Sequence, residues 1–190
     1  MRLVFSDAIT AGVNPGGLQS RTEIRVLICY ILSNSREPLP LERVKERLHF
    51  DGIANYFETA YAISDLEESG NITVSENADG KKLYVANEET KSIAEALGTS
   101  VPFSVRERSM DIVKEIISRR KNERENKVLI ENTESGMYIT CSIMDNDFEL
   151  ASIKLLIPDE DTGKAIKDNF LKNPVELLAK ITETLIETKL

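Results

Sequence analysis

The stretch from Ala54 to Ala86 changes its apolar period across one glycine, and this constrains the fold more than any other feature of the sequence. "ANYFETAYAISDLEES" carries a helical pattern. With Ile63 at the centre of the buried face, the ~100° step per residue turns Tyr56, Thr59, Ala60 and Leu66 inward. The same step sends Phe57, Glu58, Tyr61, Asp65 and Glu68 outward. Gly70 stops the helix, and Ile72 opens "ITVSENADGKKLYVA", two β-prone runs joined through Asp79-Gly80. That is the pattern of a β-hairpin, here with a basic tip at Lys81 and Lys82.

Upstream, "SRTEIRVLICYILS" places Ile24, Leu27, Ile28, Ile31 and Leu32 at i, i+3, i+4, i+7 and i+8, a stripe that marks a core helix. Ser20 and Glu23 form a capping box at its start. The preceding "NPGG" cannot be helical and reads as a turn or arm. "REPLPLERVKERLHFDG" ends that helix at two prolines and begins another, with Leu41, Val44 and Leu48 inward and Arg43 and Arg47 outward. "NEETKSIAEALG" adds one more helix after the hairpin. The order helix, helix, helix, hairpin, helix is the layout of a winged helix-turn-helix, with the hairpin as the wing.

After "LGTSVP" the pattern changes. Ser104 and Glu107 suggest a capping box before a helix with Ile112, Val113, Ile116 and Ile117 inward, running on through the charged "SRRKNEREN". "KVLIEN", "MYITCSIM" and "FELASIKLLI" predict a three-stranded antiparallel sheet, with Met137, Ile139, Cys141 and Ile143 alternating onto one buried face. Two helices follow, the first beginning near Asp159 to Asp161. The second is capped by Asn173-Pro174 and buries Leu178, Ile181 and Leu185. The expected fold is α+β: a winged-helix domain over residues 1–100, and over 101–190 an α+β domain for dimerisation or sensing.

Composition narrows the function. The chain is 41% hydrophobic and 29% charged, as soluble globular proteins are. No apolar run approaches the ~20 residues of a membrane span, and "MRLVFSDAITAGV" lacks the pattern of a secretory signal, so the expected setting is cytoplasmic, without a membrane partner. Cys29 and Cys141 sit in apolar surroundings and read as buried free thiols. The only histidine, His49, lies at a helix end, with no triad or metal-ligand spacing near it. Neither a catalytic residue, a cofactor nor a metal site is expected; the chain does not read as an enzyme.

For double-stranded DNA the candidate contacts are Arg43, Lys45 and Arg47 on the second helix, Asn55 at the head of the third, and Lys81 and Lys82 on the wing. Arg21 and Arg25 flank them on the first helix. A net charge of −8 means that affinity must come from this local patch. The third helix itself has no Lys or Arg and shows acids to the outside. Its exposed Phe57 and Tyr61 within a polar rim therefore support a rival function, a winged helix used as a protein-interaction or assembly module without sequence-specific DNA binding.

The stretch "ANYFETAYAISDLEESGNI", with "PLPLERV" before it and the hairpin after it, resembles an uncharacterised bacterial domain-of-unknown-function family with a predicted winged-helix fold. "PGGLQSRTEIRVLICYIL" and "VPFSVRERSMDIV" extend the resemblance over nearly the whole chain. More distantly, the first half is similar to winged-helix transcriptional regulators of the MarR and PadR type. That likeness implies a homodimer, operator binding and regulation of transcription.

Overall fold

The computed structural model describes residues 10–77 and 79–186. Seven helices, a two-stranded sheet and a three-stranded antiparallel sheet make up the described α+β fold. The chain divides into two compact units, one ending at Ile117 and the other starting at Ser118.

The first unit is built on α1 (Arg21–Asn34), whose Ser20–Glu23 capping box is present as expected. Ile24, Leu27, Ile28, Ile31 and Leu32 are all buried, and so are Val26 and Cys29 on the flank of the stripe. Two buried sides make α1 a central helix. Below it lie α2 (Leu41–Phe50), α3 (Tyr56–Glu68), the hairpin β1 (Ile72–Glu76) and β2 (Lys82–Ala86), and α4 (Glu88–Leu97). α1 packs on both α3 and α4. Each fully buried Leu or Ile contributes about 1.5–3 kcal/mol by leaving water, and this one core supplies most of the cohesion of the unit.

The hairpin is anchored at both ends. Leu39, just before α2, exchanges two backbone hydrogen bonds with Tyr84 of β2, each 2.9 Å, so the segment leading into α2 extends the small sheet. Asn87 caps α4 and donates to the Gly70 carbonyl at 2.7 Å. At the tip, the Asn77 side chain accepts from the N–H groups of Asp79 and Lys81, an Asx-type closure, with Gly80 in the left-handed region.

α5 (Phe103–Glu125) starts directly after Pro102. The capping box expected at Ser104 is therefore displaced: Ser104 falls inside the first turn, and the Pro102 carbonyl accepts the first helical bonds from Val105 and Arg106. Val105, Ile112, Val113 and Ile116 join the core of the first unit.

In the second unit β3 (Lys127–Thr133), β4 (Gly136–Asp145) and β5 (Phe148–Ile157) form an antiparallel meander in the order β3-β4-β5. Ile139, Cys141 and Ile143 of the central strand are buried, with Met137 packed at their edge, as the alternation predicts. α6 (Glu160–Phe170) and α7 (Pro174–Ile186) cover that face through Phe170, Leu171, Ile166, Leu177 and Leu178. Asp159 caps α6 by accepting from the Thr162 N–H at 2.7 Å. The expected burial of Leu185 is overturned: it is 81% exposed, because α7 meets the sheet through its first turns only.

Candidate functional site

The surface that concentrates the candidate residues is the outer side of α3 with the ends of α2 and the hairpin. Its position is fixed from behind by an arm, residues 10–19, laid along the α2–α3 turn. The N–H groups of Asn14 and Leu18 donate to the carbonyls of Gly52 and Ile53, both at 2.8 Å. Gly17 makes this approach possible, since a Cβ there would stand 2.8 Å from those same two carbonyl oxygens. Gly52 turns the chain at φ +66°, and a side chain there would meet Asn14.

Asn55 belongs to this buttress. It is 5% exposed. Its Oδ1 caps α3 by accepting from the N–H groups of Phe57 and Glu58, while Nδ2 donates 2.8 Å to the Ala11 carbonyl. This side chain, a candidate DNA contact in the sequence, serves the helix cap and the arm.

Glu58 reverses the expected orientation. It is buried rather than outward, because Arg21 of α1 grips it twice: Nε to Oε2 at 2.7 Å and Nη2 to Oε1 at 3.3 Å. The carboxylate raises the pKa of Arg21 and so favours its charged form. The buried face of α3 becomes Glu58, Thr59, Ala62, Ile63 and Leu66, with Tyr56 and Ala60 only half-buried. What remains outward in the first two turns is uncharged: Phe57 is 68% exposed and Tyr61 57%. The Arg21 guanidinium lies 5.2 Å from the centre of the Tyr61 ring, a cation–π distance. Acid is confined to the far half, where Asp65 stands 4.0 Å from Arg25 and Glu68 accepts from Ser64.

The bases sort into three kinds. Lys45 is 6% exposed; its Nζ bonds Glu42 at 2.5 Å and lies 4.4 Å from the Tyr56 ring centre, which gives it a packing role rather than an outward one. Burial tends to lower its pKa, but Glu42 and Tyr56 outweigh that and leave it raised. Arg47 reaches Glu115 at 3.1 Å and Asp51 at 3.7 Å, and Arg43 is half-buried on the same helix. On the hairpin, Lys81 is exposed and Lys82 bonds Glu67 of α3 at 2.6 Å, joined there by the Tyr84 hydroxyl at 3.2 Å. Surface pairs of this kind contribute only about 0–1 kcal/mol.

His49 is exposed on the last turn of α2, edge-on to Tyr56 with ring centres 6.0 Å apart. Both cysteines are free and buried; burial pushes the Cys29 thiol up to about 11, against a weaker opposing effect of Arg25, and raises Cys141 too. Such thiols are protonated at neutral pH and pack as small apolar groups. Among the described residues no group of three His, Cys, Asp or Glu side chains is placed to hold a metal ion, and no helix is long and apolar enough to cross a membrane.

A family model described as "Domain of unknown function (DUF4364)" matches residues 24–185, which takes in α1 to α7 almost entirely. The chain belongs to that family. No curated protein and no solved structure matches it. The match opens three residues into α1, so in this member the arm and the capping box lie just ahead of the matched region, while Glu58, Phe57, Tyr61 and the hairpin lie inside it.

Proposed function

We propose that this protein is a winged-helix DNA-binding transcriptional regulator, a binding protein and not an enzyme, in which α3 enters the major groove and the β1–β2 hairpin is the wing. One observation carries the reading: the first two turns of α3 present an outward surface free of carboxylate, because Glu58 is folded inward onto Arg21. The N-terminal residues of a groove-binding helix are the ones that meet base edges, so the acids at its far end need not enter the groove. In this reading Arg25, Arg43, Lys81 and Lys82 supply the phosphate contacts against the net charge of −8. The second unit serves as the dimerisation element in this reading, in a cytoplasmic homodimer.

The exposure of Phe57 and Tyr61 favours a second reading, a winged helix that captures a protein partner through aromatic anchors. Selection from a random duplex library at about 100 mM salt separates the two. A regulator enriches a defined site, and K81A/K82A weakens binding at every site while making the salt dependence less steep by about 2. Recovery of no enriched sequence overturns DNA reading and leaves the partner-capture function.

A further inference from the structure

In the major groove each base is read by a different chemistry. Guanine offers two acceptors to Arg or Lys, adenine takes a bidentate Asn or Gln, and thymine presents a C5-methyl group that only apolar atoms recognise. On α3 the exposed side chains are Phe57, Tyr61, Ser64 and Glu68, with Tyr56, Ala60, Asp65 and Glu67 half-buried. Arg, Lys, Asn and Gln are absent from the helix. The one amide at its head, Asn55, has its oxygen committed to the helix cap and its nitrogen to the Ala11 carbonyl. The nearest guanidinium, Arg21, is held by Glu58 and the Tyr61 ring.

Phe57 and Tyr61 lie four residues apart, one above the other on the same side of α3 and separated by about 6 Å along its axis. That is close to two base-pair steps of roughly 3.4 Å each. The side chains through which guanine and adenine are usually read are therefore missing from this helix, and the means for reading thymine are present twice. The Arg21 guanidinium lies over the Tyr61 ring, and Arg25, Lys81 and Lys82 are the positive charges on α1 and the hairpin available to phosphates.

We infer that α3 selects A·T base pairs by apolar contact of Phe57 and Tyr61 with thymine methyl groups, at two positions about two base pairs apart. This rests on the DNA-binding reading above. Ser64 and the acids beyond it stay outside the readout.

The test uses the full chain and the duplex enriched by selection, compared with duplexes in which each thymine in turn is replaced by uracil, which removes the methyl group and leaves every hydrogen bond intact. Fluorescence anisotropy should show a loss of about fourfold at each of two positions within a half-site, the value expected for burying one methyl group. F57A should abolish the difference at one position and Y61A at the other, while K81A/K82A weakens thymine and uracil duplexes alike. Both aromatics are exposed, so the variants keep the fold, and unchanged thermal unfolding verifies it. Equal affinity for every uracil duplex, or an enriched site whose essential positions are all G·C, overturns the inference while leaving DNA binding intact. If no duplex is enriched, the DNA-binding reading itself has failed and this inference falls with it.

Discussion

Arg21 and Glu58, 37 residues apart in sequence, are joined by two hydrogen bonds that tie the first turn of α1 to the first turn of α3. A single carboxylate moved from the outer to the inner face changes the electrostatic character of α3. Removing the arginine leaves a buried charge without its partner, which costs more than removing the pair together. R21A should therefore lower the urea midpoint more than the R21A/E58L double variant does, and the two effects should be non-additive in a double-mutant cycle. Equal, additive effects would mean that the pair is an incidental surface contact.

The arm gives a prediction about glycine that φ angles alone would miss. Gly80 has φ +70° with nothing within 4 Å of a built Cβ, whereas a Cβ on Gly17 would press on the Gly52 and Ile53 carbonyls. G80A should cost about 1 kcal/mol, the usual strain of a left-handed alanine, and leave the arm in place. G17A should detach the arm, seen as rapid amide exchange of the Asn14 and Leu18 N–H groups. N55A removes the α3 cap as well as the tie to Ala11 and should cost about 1–2 kcal/mol.

The hairpin is held to α3 by a tie with a defined pH dependence. The hydrogen bond from Lys82 outweighs the opposing effect of burial and, with a lesser one from Tyr84, holds the Glu67 carboxyl below its usual value. A depressed folded-state pKa contributes stability above the unfolded value, about 4.3, and that contribution is lost as pH falls through the folded one. The protection of the β2 amides, measured against their intrinsic exchange rates at each pH, should therefore fall below about pH 4 in the wild type. E67Q should make this acid limb shallower by the part that Glu67 contributes, leaving the part that belongs to other carboxylates such as Glu88.

Much of this architecture is legible in the sequence because it is set by local periodicity. The stripe of α1 and the alternation in β4 each name their buried residues correctly, since burial there follows from one repeating angle. The face of α3 is not legible in the same way. A helical wheel centred on Ile63 sends Glu58 outward by angle alone, and the partner that draws it in is Arg21, which lies on the exposed edge of another helix. Asn55 is illegible for the same reason, since its partner Ala11 comes from an element whose placement no period encodes, and Lys45 in part, since the Tyr56 ring over it belongs to another helix although Glu42 is on its own. The glycine density of "VNPGG" was the one available signal for the arm, as close backbone approach demands residues without a side chain. Leu185 fails differently. The apolar pattern of α7 is real, but a pattern does not say whether its own chain provides the cover.

That last point gives a prediction about assembly. With ~100° per residue, Val175, Leu178, Ile181 and Leu185 share one side of α7, yet only Leu178 among them packs on the sheet core; Val175, Leu185 and Ile186 stand exposed. An apolar helix stripe half left in water is most simply completed by the same stripe of a second copy, and a two-fold arrangement is self-complementary by construction. Under the proposed function, such a dimer would present two copies of α3 to paired half-sites. The wild-type chain should therefore run as a dimer in light scattering at micromolar concentration. V175E/L185E should be monomeric with its circular dichroism unchanged, because neither residue belongs to the core of its own unit. The same variant should lose the affinity for a two-half-site duplex that dimerisation provides while still binding a single half-site weakly. A wild-type chain that remains monomeric at tens of micromolar would assign the exposed stripe some other role and remove the dimer from the proposal.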